Sequence, residues 1–488
     1  MDGKIGPAAT QHLIGAEWQD GQGPNAIAVY DPATGRQIAE MKEASLAQGD
    51  AAVAAAVAAF PAWSALSISR RAEIVLKMRA LVDANLEELA TLLSLDNGKT
   101  MMEARGEIAR AAEAISGAAG APIAYHSQSG NVAPNLDARR VRIPLGVCVA
   151  VTPFNFPVMN PSMFAAWAIV CGNTLVLKPS EQTPLVTNRL FELFREAGVP
   201  DGVLNIVHGS VELGEQLVSH PNVKAVSCIT STPVAQAIYA NGTAHGKRVQ
   251  ANGGGKNPYV VLADADLDRA AEGIADAAFG MAGQRCLAAS RCIVVGEVYD
   301  RFLEKLVAKS HSYVLGSGRN PDATMGPLVS AAAKARIENA IARAAESGAT
   351  IALDGRSHEV QGGEETADGY FVGPTIITGL SPKDPIDCQE VFAPFLVVHK
   401  VASLDEAVAI ANDTEFGNAA AIYTTNGSSA RAFEIAVNAG NIGVNTFPAP
   451  PMNFQMGGMG TSFFGDVHVL GDGYLLFYTD HKVVVSRW

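Results

Sequence analysis

A chain of 488 residues with 48% hydrophobic content is too long for one core and is expected to divide into two or three domains. Its formal net charge of -13, with only 17% charged residues, builds a field that repels nucleic-acid phosphates and anionic lipid, so neither is an expected partner. The opening stretch MDGKIGPAATQHLIGAEWQDG has no basic start, apolar centre or small-residue cleavage site, and no apolar run is long enough to span a bilayer; the expectation is a cytoplasmic protein.

In SLAQGDAAVAAAVAAFPAWSAL a serine precedes a run of alanines, which predicts a helix. The following SRRAEIVLKMRALVDANLEELATLLSLDNGKT carries apolar residues at helical spacing up to Asn97-Gly98, and MMEARGEIARAAEAISGAAG predicts a further helix. NLDARRVRIPLG alternates like a half-buried strand. From residue 145 short apolar runs (GVCVAV, NTLVLK, VLNIV, VKAVSCI) alternate with loops and helical stretches, which argues for a parallel sheet covered by helices. A second alternating series starts at SRCIVVGEVYDRFLEKLVAKS and runs to about residue 450, so a second α/β domain is expected. DGRSHEVQGGEETADGYF reads as a hairpin or loop insertion. The tail GYLLFYTDHKVVVSRW reads as an end strand, of the kind that often pairs with another subunit. No repeat, heptad run or GxGxxG fingerprint occurs, and GGGK and GGMG read as tight turns.

Six cysteines, at 148, 171, 228, 286, 292 and 388, show no CxxC and no metal-ligand spacing, so no metal site is expected and most are expected to be buried thiols. Cys286 differs because it follows Arg285 in AGQRCLAAS. In open parallel sheets ligands collect beyond the carboxyl ends of strands, and three such ends carry suggestive residues. NTLVLKPSE ends in Lys178 with Glu181 three residues on, GVCVAVTPFNFP places Asn155 in a proline-bounded loop, and VKAVSCITS puts Thr230 and Ser231 at a helix start. Each also has a plain structural reading: a solvated lysine, an Asx turn, a helix cap.

Taken together, these stretches resemble the aldehyde dehydrogenase superfamily over nearly the whole length. The resemblance rests on PFNFP (153–157), LKPSE (177–181), GQRC (283–286) and EVFAPF (390–395), in the family's order and approximate spacing. Within the family the chain is most similar to the CoA-acylating methylmalonate-semialdehyde dehydrogenases, through RIPLG, GKRVQAN, AAFGMAGQRC, SFFGD and FYTDHK. The implied fold is α/β: a Rossmann-type NAD-binding domain (1–125 and 146–255), an α/β catalytic domain (256–450) and a small β oligomerisation arm (126–145 and 470–488). The resemblance also implies a homo-oligomer, either a dimer or a tetramer built as a dimer of dimers.

It implies further that Cys286 is the nucleophile and that the Asn155 amide, with the backbone N–H of Cys286, holds the oxyanion. Lys178 and Glu181 would contact the adenosine ribose with Gln182 nearby, and Ser231 would meet the pyrophosphate. Thr152, Phe154 and Gly253 would lie along the cofactor, and Glu390, with Phe392 beside it, would fix the nicotinamide ribose. A carboxylate at the 2'-hydroxyl position favours NAD over NADP. Many members have Gly-Ser where this chain has Thr230-Ser231, which brings bulk close to the pyrophosphate. Arg110 and Arg285 would grip a substrate carboxylate. Read by spacing alone, Arg110 forms an ordinary helix pair with Glu107, and Arg285 lowers the thiol pKa.

Most hydrolytic members carry a glutamate at the position of Asn252, where it activates water against the thioester. Water, with a pKa of about 15.7, needs a base badly, whereas a thiol of pKa roughly 8 to 9 is already a few per cent thiolate at neutral pH. The amide therefore points to coenzyme A as co-substrate. The expected activity is NAD-dependent oxidation of malonate or methylmalonate semialdehyde to an acyl-CoA. The alternative is a hydrolytic aldehyde dehydrogenase for another small aldehyde, giving the free acid, with Glu390 positioning the water.

Overall fold

The computed structural model describes residues 7–125 and 128–488. Ser45 and Gln48 form a reciprocal capping box that starts the alanine-rich helix Leu46–Ser64. The next helical stretch divides at Asn85 into Ile68–Ala84 and Leu86–Asn97. Asn85 breaks the run by turning its amide back onto the Leu81 carbonyl at 2.8 Å. Gly98 ends the second helix with φ 88°, and a Cβ there would lie 2.7 Å from Pro327, so only glycine fits. Thr100 and Glu103 then form a second capping box that opens helix Met101–Ala119.

The four short apolar runs form the centre of an eight-stranded sheet. In spatial order its strands are Glu17–Gln19, His12–Ile14, Leu204–Ile206, Thr174–Lys178, Val147–Val151, Val223–Ile229, Arg248–Asn252 and Phe463–Phe464. The five from Leu204–Ile206 to Arg248–Asn252 are mutually parallel. The second series, joined by Asn257–Val261 from ahead of its expected start at Ser290, forms a seven-stranded sheet in the order Thr350–Leu353, Thr375–Thr378, Phe395–Val401, Ala289–Val295, Asn257–Val261, Ala419–Tyr423 and Asn441–Val444, parallel except for its first strand. Helix Met159–Val170 is buried along nearly its whole length, between the first sheet and helix Met101–Ala119. Each large side chain such as Phe164 or Phe191 in that core contributes about 1.5–3 kcal/mol by leaving water.

Leu136–Pro144 pairs with Gln128–Ala133 on one side and with Thr479–Arg487 on the other, making a separate three-stranded arm. The tail differs from expectation between 470 and 478: Gly473–Phe477 is helical, and Tyr474, Phe477 and Tyr478 are buried in the first core. Intrachain burial of these aromatics outweighs their strand propensity, so the strand begins only at Thr479. Residues 126 and 127 of the expected arm lie outside the described residues. DGRSHEVQGGEETADGYF is a loop insertion with two short 3-10 turns. In GGMG, Met459–Gly460 pairs briefly with Phe416–Gly417, so that stretch is a short strand as well as a turn. No single helix among the described residues is long and apolar enough to cross a membrane.

Candidate active site

Helix Leu267–Phe279 runs into Gly280, after which Met281, Ala282 and Gly283 all have left-handed φ values of 54°, 52° and 68°. Such a conformation costs a non-glycine residue about 1–3 kcal/mol, so the surroundings must impose it. The Met281 N–H donates to Glu103 Oε1 at 2.6 Å. Gln284 accepts the Val329 N–H at 3.1 Å, and a side chain on Gly283 would strike the Ala393 carbonyl at 2.3 Å. Beyond the turn, Asn257 and Asn418 each donate to the Cys286 carbonyl at 2.9 Å, and the Tyr259 hydroxyl donates to that of Leu287 at 3.0 Å. The cysteine backbone is therefore pinned from several elements at once.

Cys148, Cys171, Cys228 and Cys292 are buried thiols, Cys388 is exposed, and Cys286 is intermediate. Burial pushes the Cys286 thiol up to about 11, with the Glu390 carboxylate adding to the rise. The N–H groups of Cys286 and Leu287, and then Arg285, pull in the other direction without winning. The expectation that Arg285 lowers this pKa is right in sign and small in size.

The loop bearing Asn155 is organised by buried charge. Lys99 Nζ pairs with the Glu107 carboxylate and donates to the Asn155 carbonyl at 2.7 Å, with Phe156 beneath it. The same carboxylate accepts the Val158 and Met159 N–H groups at 2.8 and 3.0 Å, and Asn97 donates to the Phe154 carbonyl at 2.8 Å. Removing one partner of such a pair costs about 3–5 kcal/mol. So fixed, Asn155 donates one amide hydrogen to the Gln284 carbonyl at 2.9 Å, two residues before Cys286. Its second amide hydrogen is free for another acceptor.

A cavity of about 760 Å³ is lined by Cys286, Asn155, Asn252, Gly253, Arg110 and Arg285, which places six of the sequence candidates on one space. Asn252 ends strand Arg248–Asn252 and donates to the Cys228 carbonyl at 3.3 Å. Arg110 does not pair with Glu107: it bonds Glu113 and the Pro450 carbonyl at 2.8 and 2.9 Å, because Glu107 is turned inward to Lys99. The Arg285 guanidinium lies 4.8 Å from the Phe447 ring centre and pairs with Asp276 at 3.5 Å, while its buried Nε has no partner.

The remaining candidates do not line that cavity. Lys178 pairs with Glu181 at a strand end, and Thr152 donates its N–H to the Lys178 carbonyl at 3.2 Å while its buried hydroxyl has no partner. Ser231 caps helix Thr232–Ala244 in position only, its side chain making no cap bond, and the Thr230 hydroxyl turns onto the Ser231 carbonyl at 3.2 Å. Gln182 is exposed beside Glu181. Glu390 accepts the Gly255 N–H at 3.0 Å, and a Cβ on Gly254 would meet its carboxylate at 2.2 Å. Burial raises the Glu390 pKa. Phe392, at φ 54°, meets Phe154 edge to face at 5.9 Å between ring centres. An orphaned hydroxyl, an uncapped helix start, a lysine–carboxylate pair and a glycine cradle form a donor set that fits a dinucleotide. No group of three His, Cys, Asp or Glu among the described residues could hold a metal ion.

The supporting residues Lys99, Glu103, Asn257 and Asn418 escape sequence reasoning. Lys256 and Arg336 do too; they donate to the carbonyls of Gln389 and Val391 on either side of Glu390 at 2.8 and 2.9 Å. The one sequence signal among them is Thr100-x-x-Glu103, which announces a helix cap and is silent about the second carboxylate oxygen.

The model of the aldehyde dehydrogenase family matches residues 18–484. A malonate-semialdehyde dehydrogenase of Halalkalibacterium halodurans is 43% identical over 480 residues, covering 98% of both chains. A crystal structure of the methylmalonate-semialdehyde dehydrogenase DddC from Oceanimonas doudoroffii superposes with a TM-score of 0.95 at 36% identity, over 98% of each chain. That of a provisionally assigned methylmalonate-semialdehyde dehydrogenase from Sinorhizobium meliloti 1021, complexed with NAD, gives 0.95 at 38% identity over 98% of this chain and 97% of that one.

The raised thiol pKa predicts slow alkylation of Cys286 by iodoacetamide at neutral pH, with a rate that climbs roughly tenfold per pH unit toward about 11. Glu390→Gln removes a negative neighbour, lowers that pKa and speeds labelling at pH 7 by roughly 3- to 10-fold. Peptide mass spectrometry separates Cys286 from the exposed Cys388; an unchanged or slower rate in the variant contradicts the assignment.

Proposed function

The chain belongs to the aldehyde dehydrogenase family, and on that premise we propose that it oxidises a short semialdehyde bearing a carboxylate, malonate or methylmalonate semialdehyde. The acyl group passes through a Cys286 thioester to coenzyme A, giving acyl-CoA and NADH. The observation that carries the choice of acceptor is Asn252, an amide lining the same cavity as Cys286. An amide cannot take a proton from water, and a thiol needs far less help.

In the reaction the Cys286 thiol gives its proton to solvent, Sγ bonds to the aldehyde carbon, and the carbonyl oxygen takes up the charge. The free Asn155 amide hydrogen and the Cys286 N–H stabilise that oxygen. NAD, when bound along Thr152, Phe154, Lys178, Ser231, Gly253 and Glu390, supplies the hydride acceptor. Loss of the hydride re-forms the carbonyl as a thioester. The coenzyme A thiolate then attacks, and the bond to Cys286 breaks. Gln182 lies at the adenosine end, and Glu181, beside Lys178, disfavours a 2'-phosphate. Phe392 supports the nicotinamide end through its contact with Phe154. Arg110 and Arg285 hold the substrate carboxylate, and the partnerless Arg285 Nε supports that role.

On this reading the first sheet belongs to an NAD-binding domain (1–125 and 146–255), the second to a catalytic domain (256–450), and the three-stranded arm joins copies of the chain. Val132, Val483, Val485 and Trp488 on the arm are exposed apolar residues, which supports a homo-oligomeric partner.

With NAD and malonate semialdehyde but no coenzyme A, the enzyme is expected to release about one NADH per site and then stall, with a thioester mass on Cys286. Adding coenzyme A restores turnover, and Asn252→Glu relieves the stall by hydrolysis. Undiminished formation of free acid by the wild type without coenzyme A overturns the acceptor and favours a hydrolytic enzyme in which Glu390 positions water. Arg110→Gln and Arg285→Gln each raise KM for the semialdehyde about 10- to 100-fold, the value of a lost charge-assisted contact, while leaving propionaldehyde oxidation near wild type; equal losses on both substrates refute the carboxylate role. Light scattering is expected to find a dimer or tetramer that Val483→Lys/Val485→Lys dissociates, and an unchanged mass in the variant removes the arm from the interface.

A further inference from the structure

We propose that Glu103 is a positioning residue for Cys286, the carboxylate through which helix Met101–Ala119 holds the nucleophile turn in register with the Asn155 loop. The proposal rests on the reading of Cys286 as the thioester-forming residue. Glu103 and Glu107 stand one turn apart on this helix, with Lys99 just before its start, so the three share a face. Glu107 and Lys99 hold the Asn155 loop, which belongs to the first sheet. Glu103 reaches toward the second sheet.

Its two oxygens have separate tasks. Oε2 accepts the Thr100 N–H and hydroxyl at 3.0 Å each, completing the helix cap. Oε1 accepts the Met281 N–H at 2.6 Å. Met281 opens the run of three left-handed residues, two of them not glycine, that ends three residues before the nucleophile. A charge-assisted bond to a rigid helix, itself anchored at its cap, opposes relaxation of that turn. The Asn155 bond to the Gln284 carbonyl closes the triangle between helix, oxyanion loop and nucleophile loop. Thiol and oxyanion donor are thereby referenced to one element, and a misplacement of about 1 Å between them can cost on the order of 100-fold in rate.

The test is the rate of the first-turnover NADH burst, which reads attack and hydride loss whatever the acyl acceptor. Glu103→Ala is expected to slow the burst roughly 10- to 100-fold with KM values for NAD and semialdehyde within about twofold of wild type. Glu103→Gln, which keeps an acceptor oxygen, recovers the rate to within about threefold. Thr100→Ala, which weakens the cap but spares the Met281 bond, lowers the melting temperature and leaves the burst rate alone. Should Glu103→Ala fail to fold, Glu103→Asp, one methylene shorter, provides the same reading and is expected to slow the burst. A wild-type burst rate in the folded Glu103 variants overturns the proposal, as does a burst slowed equally by Thr100→Ala, or a rise in semialdehyde KM with the burst rate intact. Failure of the thioester reading looks different: no stoichiometric burst in the wild type, or turnover by Cys286→Ala.

Discussion

The buried ion pair between Lys99 and Glu107 is the constraint to which the rest of the site is referred. Burial pulls the Lys99 pKa down, and the Glu107 carboxylate opposes that pull, so neither charge is comfortable without the other. What makes the pair useful is its leftover hydrogen-bonding capacity. The ammonium spends one donor on the Asn155 carbonyl, and the carboxylate spends its second oxygen on two N–H groups at the start of the next helix. A loop such as the one carrying Asn155 has few regular backbone partners of its own. Here a lysine and a glutamate from another helix take their place.

Cys286 is held by a different set of forces. Its backbone is fixed by neutral amides and a tyrosine hydroxyl, while its thiol is left in a setting that favours the protonated form. Glu390 adds to that bias, and Lys256 and Arg336 hold the segment carrying it. Resting Cys286 accordingly stays protonated at neutral pH, the form less open to oxidation.

Much of the candidate site was legible in the sequence because its groups sit where short motifs meet strand ends. Lys178, Asn155 and Ser231 follow apolar runs whose length and spacing already describe a parallel sheet, and Cys286 stands out by its arginine and small neighbours. Glu107 shows the limit of such reading. Its spacing to Arg110 suggests a helix pair, yet the side chain turns inward to a lysine eight residues upstream while Arg110 takes Glu113. The tail shows the same limit: GYLLF has the composition of a strand and is helical, because core aromatics receive Tyr474 and Phe477.

By itself the sequence determined most of the element types, the strand ends where the candidate residues sit and the amide at position 252, since these depend on local periodicity and on residue identity. Tertiary structure alone decided which carboxylate meets which cation, why Met281 and Ala282 tolerate left-handed backbone, and which way the Cys286 pKa moves. Those outcomes are set by burial and by partners distant along the chain. Glu103 and Met281 are separated by 178 positions and joined by one 2.6 Å hydrogen bond, a contact that no local pattern encodes because its energy exists only once the turn at Met281 has been brought against that helix.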